Sequence, residues 1–126
     1  MLRFLVLLTI IRGLADDADL GYPRAHVYDR LCRILISDIR RAADMAKKAS
    51  TTAYIASNMV DDDYMYRLTR YYSYEANRIY EAGLFDATFY ERNKCSSGLR
   101  PLIRTIRLIR KTSTEALEVA SRGTRF

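Results

Sequence analysis

The chain of 126 residues has no tryptophan, two prolines, five glycines, two cysteines and one histidine. Because proline and glycine interrupt helices and strands, so few of them predict long, uninterrupted elements. Cys32 and Cys95 lie far apart, and together with His26 they do not supply the four closely spaced ligands of a structural zinc site. We therefore expect free thiols in a reducing, cytoplasmic compartment, with a Cys32–Cys95 disulfide as the alternative.

The residues that carry out catalysis are also scarce. The sequence has no glycine-rich phosphate-binding loop, and His26 is expected at the start of a helix. Helix capping explains the adjacent carboxylates Asp61 to Asp63, and local ion pairs with Arg78 explain Glu75 and Glu81. The sequence therefore predicts no enzyme activity, no catalytic residue, no cofactor, no metal and no small-molecule substrate.

The charge and length favour one small domain, residues 1–126, with an anionic partner. The net charge is +6 and the sequence pI is about 9.5, which suits nucleic acid or an acidic membrane surface. Met1 to Ala15 has an apolar run and an ending similar to a signal-peptidase site. The run is shorter than the roughly 20 residues of a membrane span, so we expect a buried first helix at Leu2 to Ala15.

The longest helical pattern runs from Pro23 to Ala49, with a possible extension to Ser57, and it has two faces. Its apolar side comprises Val27, Leu31, Ile34, Leu35, Ala42, Met45, Ala46 and Ala49. Its other side, here called the first basic stripe, comprises Arg30, Arg33, Arg40, Arg41, Lys47 and Lys48.

Two further helices follow. The third is predicted from about Asp62 to Ala82, capped by the aspartates and ended by Gly83, after which Asp86 caps another helical stretch. A break is expected near Ser97 to Pro101, and a frayed tail from Ser121. The last helix has an apolar side (Leu99, Leu102, Ile103, Ile106 and Ile109) and a second basic stripe (Arg100, Arg104, Arg107 and Lys111). Since no segment alternates with a period of two, we predict an all-α, antiparallel four-helix bundle.

The two basic stripes are the candidate binding surface. Exposed Arg and Lys bind phosphates of RNA or DNA with little sequence preference, and aromatic rings stack on unpaired bases. Tyr71 and Tyr74, which are interspersed with arginines, are the candidate aromatic contacts. The alternative interpretation is that the stripes are solvated helix faces and that the tyrosines fill core or interface positions.

The order of these features resembles a known family. The long basic helix starts with "YPRAHVYDRL", and the third helix ends in "EAGLFDATFYER". With these segments the chain resembles the four-helix-bundle family of the accessory variability proteins of diversity-generating retroelements. Proteins encoded in ribosomal RNA intervening sequences belong to the same family. The resemblance implies a basic homopentamer that binds nucleic acid and the element's reverse transcriptase, and that assists mutagenic retrohoming without catalytic residues of its own.

Two other functions stay open. One is a small helical subunit of a larger assembly, for example an organellar membrane complex, with Met1 to Ile11 as its membrane contact, although membrane association is the less expected outcome. The other is a secreted helical protein with a Cys32–Cys95 disulfide. In all cases apolar surface left exposed by so short a chain predicts a homo-oligomer.

Overall fold

The structure is a computed structural model that describes residues 24–124. It contains three helices: α1 at Arg24–Ser57, α2 at Asp63–Asn93 and α3 at Arg100–Gly123. No strand occurs in these described residues, so the all-α prediction is confirmed. The predicted first helix at Leu2 to Ala15, the turn before Pro23 and the last two residues lie outside the described part. These three helices do not match the predicted four-helix bundle. The remaining predicted helix, Leu2 to Ala15, is the one that lies outside the described residues.

The chain divides into two compact units after Leu31. Of the first unit, residues 24–31 are described, and they form the beginning of α1, with Arg30 exposed. The second unit, Cys32–Phe126, holds the rest of α1 together with α2 and α3. A single domain over residues 1–126 stays a prediction.

In the second unit, α2 runs antiparallel to both other helices. Its contacts with α1 step backward along α2 as they advance along α1: Arg40 to Glu91, Lys47 to Asn77, and Ser50 to Ser73. Its contacts with α3 reverse in the same way, with Gly83 beside Ile109 and Thr69 beside Gly123. It follows that α1 and α3 run parallel to each other.

The core follows a seven-residue repeat, in which buried positions alternate between steps of four and three. In α1 these are Leu35, Ile39, Ala42, Ala46, Ala49, Ala53 and Ala56, and in α3 they are Leu102, Ile106, Ile109, Ser113, Ala116, Ala120 and Gly123. This spacing is the 3.5-residue period of supercoiled helices. Around Ala49, Ala53 and Ala76 every buried side chain of the cluster is an alanine, so the backbones can approach closely there.

The predicted apolar face of α1 is partly confirmed. Leu35, Ala42, Ala46 and Ala49 are buried, whereas Met45 is 56% exposed. The seven-residue repeat narrows the buried seam and leaves Met45 on its flank, while it buries Ile39, which the sequence analysis did not place in the core.

Gly83 does not end a helix, as the sequence predicted, but lies buried in the middle of α2. A Cβ atom at this position would lie 2.8 Å from Ile109 Cδ1 and 3.3 Å from Ala43 Cβ. Gly83 is therefore the point at which all three helices approach, and its missing side chain makes the approach possible. Asp86, predicted as a cap, lies in the interior of the same helix.

The observed ends of the helices agree better with the positions predicted from the sequence. Asp62 caps α2 by accepting a hydrogen bond from the Met65 backbone N–H at 3.3 Å. The predicted break is confirmed between Asn93 and Arg100, and Pro101 occupies the first turn of α3, where proline is tolerated. The helix then continues to Gly123, past the fray predicted at Ser121, because Val119 and Ala120 are buried against the core.

Cys32 and Cys95 form a disulfide, which corrects the prediction of free thiols. Their Cα atoms are 6.0 Å apart, and both residues are buried. The bond joins α1 to the segment between α2 and α3, where Lys94 and Cys95 adopt positive φ angles of 54° and 56°. The two cysteines are 63 positions apart in sequence. They meet because the antiparallel pairing of α1 and α2 brings the amino-terminal part of α1 to the same height as the carboxyl end of α2.

Candidate nucleic-acid interface

All ten side chains of the two basic stripes are exposed. They are Arg30, Arg33, Arg40, Arg41, Lys47, Lys48, Arg100, Arg104, Arg107 and Lys111. The helical periodicity therefore placed them correctly on the surface, as expected for charges that are costly to bury. Their proposed contact with nucleic acid stays a prediction.

The first basic stripe contains a row that faces α2. Arg33, Arg40 and Lys47 repeat every seven residues, and two of them contact α2. Arg40 Nη1 lies 3.1 Å from Glu91 Oε2. Lys47 Nζ donates a hydrogen bond to Asn77 Oδ1 at 3.0 Å and lies 5.3 Å from the centroid of the Tyr80 ring. Part of the stripe thus links two helices, through exposed pairs that contribute little to stability and can exchange partners.

Arg41 and Lys48 form a second row, about 100° around α1 from the first. Arg41 Nη1 lies 3.8 Å from Oδ1 of Asp38, which is buried. Lys48 is exposed and makes no ion pair with the described residues. Since the first row faces α2, this second row lies on a neighbouring flank of α1.

The second basic stripe is the stronger concentration of positive charge. The stretch from Arg100 to Lys111 contains five cations and no acid. Within the described part of the chain, Arg100, Arg104 and Lys111 have no ion-pair partner. The amino end of α3 also carries the partial positive charge of the helix dipole. This half of α3 is therefore the surface most suited to an anion.

The contacts at Gly83 set the relative height of the two stripes. A Cβ atom there would lie within 4 Å of both Ala43 and Ile109, so these two residues mark one level of the bundle. Arg41 precedes Ala43 by two residues, and Arg107 precedes Ile109 by two. Because α1 and α3 are parallel in the second unit, Arg41 and Arg107 lie at about the same height.

The candidate aromatic contacts Tyr71 and Tyr74 are exposed on α2. The Tyr71 ring packs edge-on against Tyr72 at 5.3 Å between centroids, and the neighbouring Arg78 pairs with Glu75 at 2.9 Å. The hydrogen bond and the negative charge of Glu75 raise the pKa of Arg78. None of the ring contacts among the described residues joins either tyrosine to a basic stripe.

The structure contains cation–aromatic contacts of Arg70 that the sequence analysis did not predict. The guanidinium carbon of Arg70 lies 4.2 Å from the Tyr54 ring centroid and 5.2 Å from that of Tyr66. Tyr54 follows Lys47 by seven residues, so it continues the row that faces α2. The spacing of Tyr66 and Arg70 by four was visible in the sequence, but their meeting with Tyr54 depends on how α1 pairs with α2.

Apolar side chains are exposed as well. Leu84, Phe85, Thr88, Phe89 and Arg92 line a shallow groove on α2, and Phe85 is 72% exposed. Large exposed aromatic residues are typical of protein interfaces. Among residues 24–124, no group of His, Cys, Asp and Glu could hold a metal ion, and no helix is long and apolar enough to cross a bilayer.

Comparisons with known proteins add no relative. No family model, no curated protein and no solved structure matches the chain.

Proposed function

We propose that this chain is a non-enzymatic helical protein that binds the phosphate backbone of RNA or DNA through its two basic stripes. The observation that carries the proposal is the half of α3 from Arg100 to Lys111, which has five cations and no acid. The exposed row of Arg41 and Lys48 on α1 adds further positive charge, with Arg41 at about the height of Arg107. Anionic polymers are the partners for which such a surface provides the most favourable charge.

Binding of this kind is electrostatic. Neutralised phosphates release condensed counterions, so the logarithm of the affinity falls with the logarithm of the salt concentration, with a slope of about −0.7 to −0.9 per phosphate contact. Little sequence preference is expected, because the stripes present cations and not groups that read base edges.

Fluorescence anisotropy with labelled RNA and DNA, from low to physiological salt, tests the proposal. Arg100, Arg104 and Lys111 replaced together by Gln should weaken binding to every sequence and reduce the salt slope by about two to three. A second variant replaces Arg40, Arg41, Lys47 and Lys48 and tests the first stripe in the same way.

The control replaces Arg67, Arg78 and Arg122 by Gln. Like the α3 variant, it removes three positive charges, but each of these arginines pairs with an acid of its own helix. The proposal requires this control to bind more tightly than the α3 variant. Equal loss in the two would mean that only net charge matters, and unchanged binding in the α3 and α1 variants would reject both stripes.

The retroelement role is a narrower proposal, and it is supported only by the resemblance of the segments around helices α1 and α2. It implies a four-helix bundle assembled as a pentamer that binds a reverse transcriptase. The exposed Phe85 and Phe89 provide apolar surface for such contacts. Light scattering should then give five times the chain mass of 14.6 kDa, and a monomer would contradict the assembly. Co-purification with a retroelement reverse transcriptase tests the partner.

The disulfide favours a second candidate, an exported helical protein. A nucleic-acid accessory protein is expected in the cytoplasm, where disulfides are rare, whereas Cys32–Cys95 is a buried bond of the kind that persists in oxidising compartments. Met1 to Ala15 has features of a signal peptide. Mass spectrometry of the protein from its native source separates the two: loss of the first 15 or so residues supports export, and an intact amino terminus supports the cytoplasmic role.

A further inference from the structure

We infer that Arg70, held between Tyr54 and Tyr66, is a phosphate-binding subsite for one nucleotide of a single-stranded nucleic acid. This inference rests on the proposed function and assigns part of the binding to a site outside both basic stripes. Its basis is a guanidinium that lies beside two aromatic rings but whose hydrogen-bond donors are unused.

The position of the guanidinium is fixed by two rings from two helices. Tyr54 comes from α1, and Tyr66 comes from α2, one turn before Arg70 itself. The distances of 4.2 and 5.2 Å from the Arg70 guanidinium carbon to the ring centroids are within the range of cation–π contacts. Arginine is otherwise a flexible side chain, so the rings reduce the entropy that a ligand would have to remove.

The rings satisfy the charge of Arg70 but none of its N–H groups. A guanidinium has five donors, and all of them point outward in its own plane. Among the described residues, Arg70 forms no ion pair and its side chain donates no hydrogen bond. Its Nε atom is buried without a partner. The Nη groups are not among the buried side-chain atoms, so they, and not Nε, are the donors that an acceptor supplied from outside can reach.

The acids nearest to Arg70 in sequence are engaged elsewhere. Glu75 Oε2 accepts a hydrogen bond from Arg78 Nη2 at 2.9 Å. Asp62 caps α2 through the Met65 N–H, and Asp63 Oδ2 lies 3.2 Å from Nε of Arg67. The planar fork of an arginine matches an oxyanion with two oxygens, and phosphate is the oxyanion that the proposed function supplies.

The two tyrosines indicate a nucleotide and not an isolated phosphate. Tyr54 is 46% exposed and Tyr66 is 40% exposed, so each ring retains accessible surface beside the guanidinium. An unpaired base can stack on such a ring while its phosphate reaches Arg70, as in single-strand binding proteins. A duplex keeps its bases stacked inside, so the subsite should favour single strands.

The test measures the affinity of the full chain for a labelled oligothymidine and for a duplex of the same length, by anisotropy. Arg70→Gln should weaken single-strand binding roughly tenfold or more and duplex binding much less. Arg70→Lys should lose nearly as much, because lysine keeps the charge and lacks the fork. Tyr54→Leu should weaken single-strand binding by about fivefold or more, through lost stacking.

The matched control is Arg67→Gln, which removes the same charge from the same helix, one turn away from Arg70. It should bind both nucleic acids within about twofold of the unaltered chain, as expected for a charge that is exposed and already paired. Circular dichroism melting checks that each variant keeps its helices. In parallel, the Nε–H resonance of Arg70, assigned by its loss in Arg70→Lys, should shift when oligothymidine is added.

Several results would overturn the inference. Equal losses for Arg70→Gln and Arg67→Gln, equal losses on single strand and duplex, or an Arg70 resonance that does not move would each do so. Tighter binding of polyglutamate than of oligothymidine, lost in Arg70→Gln, would identify a protein-docking site instead. If the stripe variants weaken binding but the Arg70 variants do not, only the subsite fails; if the unaltered chain binds no nucleic acid, the proposed function fails as well.

Discussion

Ser50 and Ser73 join α1 and α2 by a reciprocal pair of hydrogen bonds. The hydroxyl of each residue donates to the backbone carbonyl of the other at 2.8 Å, and both residues are buried. Their Oγ atoms are 3.3 Å apart. Each helix thus satisfies the polar group of its partner within a seam that is otherwise built of small apolar side chains. These hydrogen bonds fix the register of the two helices.

Removal of this pair should lower stability without loss of the fold. Ser50→Ala and Ser73→Ala each delete one donor and leave carbonyls that already belong to helices, so each should reduce the free energy of unfolding by about 1 kcal/mol. Urea denaturation measures the change. Ser37→Ala, an exposed serine of α1, is the control, and equal stability of all three variants would contradict a structural role for the pair.

Gly83→Ala tests the close approach of the three helices. In an exposed helix this change would stabilise by about 0.5–1 kcal/mol; here the added Cβ meets Ile109 Cδ1 at 2.8 Å and Ala43 Cβ at 3.3 Å. We expect a net loss of about 1 kcal/mol, since overpacking costs about 1–3 kcal/mol.

The same substitution should cost less when Ile109 is replaced by Val, which removes the Cδ1 atom in question. The four proteins of this double-mutant cycle are compared by urea denaturation. A stabilising effect of Gly83→Ala in the original background would show that α2 lies farther from Ile109 and Ala43 than these distances indicate.

Reduction of Cys32–Cys95 should destabilise the protein strongly. A loop of this size, with a sequence separation of 63, corresponds to about 4 kcal/mol in the chain-entropy model. The urea midpoint of Cys32→Ser plus Cys95→Ser should therefore lie well below that of the oxidised protein and match that of the reduced one. Thiol titration of denatured, unreduced protein should find no free thiol, and two would contradict the bond.

Asp86 should make stability depend on pH. Burial raises the pKa of this carboxyl above its usual 3.8, so the folded protein binds the proton more tightly than the unfolded chain. Stability from this group is therefore greatest below pH 3.8 and decreases as the pH rises through the folded-state pKa. Asp86→Asn should be more stable than the unaltered chain at pH 7, and the difference should shrink toward pH 3.5, as measured by urea denaturation at both values.

The control for Asp86 is Asp44→Asn, which removes an exposed carboxylate from α1. It tests whether the loss of one negative charge is enough to produce the change at pH 7. An Asp86→Asn variant that is less stable at pH 7 would mean that the ionised carboxylate is held by a favourable contact.

The sequence by itself determined that the described residues form helices and no strand, that the chain breaks before Pro101, and that the basic stripes face outward. These properties depend on local periodicity, on the capping aspartate Asp62 and on Pro101, all of which act within a few residues. Only the tertiary structure decided that Cys32 meets Cys95, that Gly83 is a crossing point and not a helix end, and that Arg70 lies between Tyr54 and Tyr66. Each depends on the register between antiparallel helices, which is set by side-chain packing across the whole bundle. The helical period of one segment contains no information about the height at which another helix packs against it.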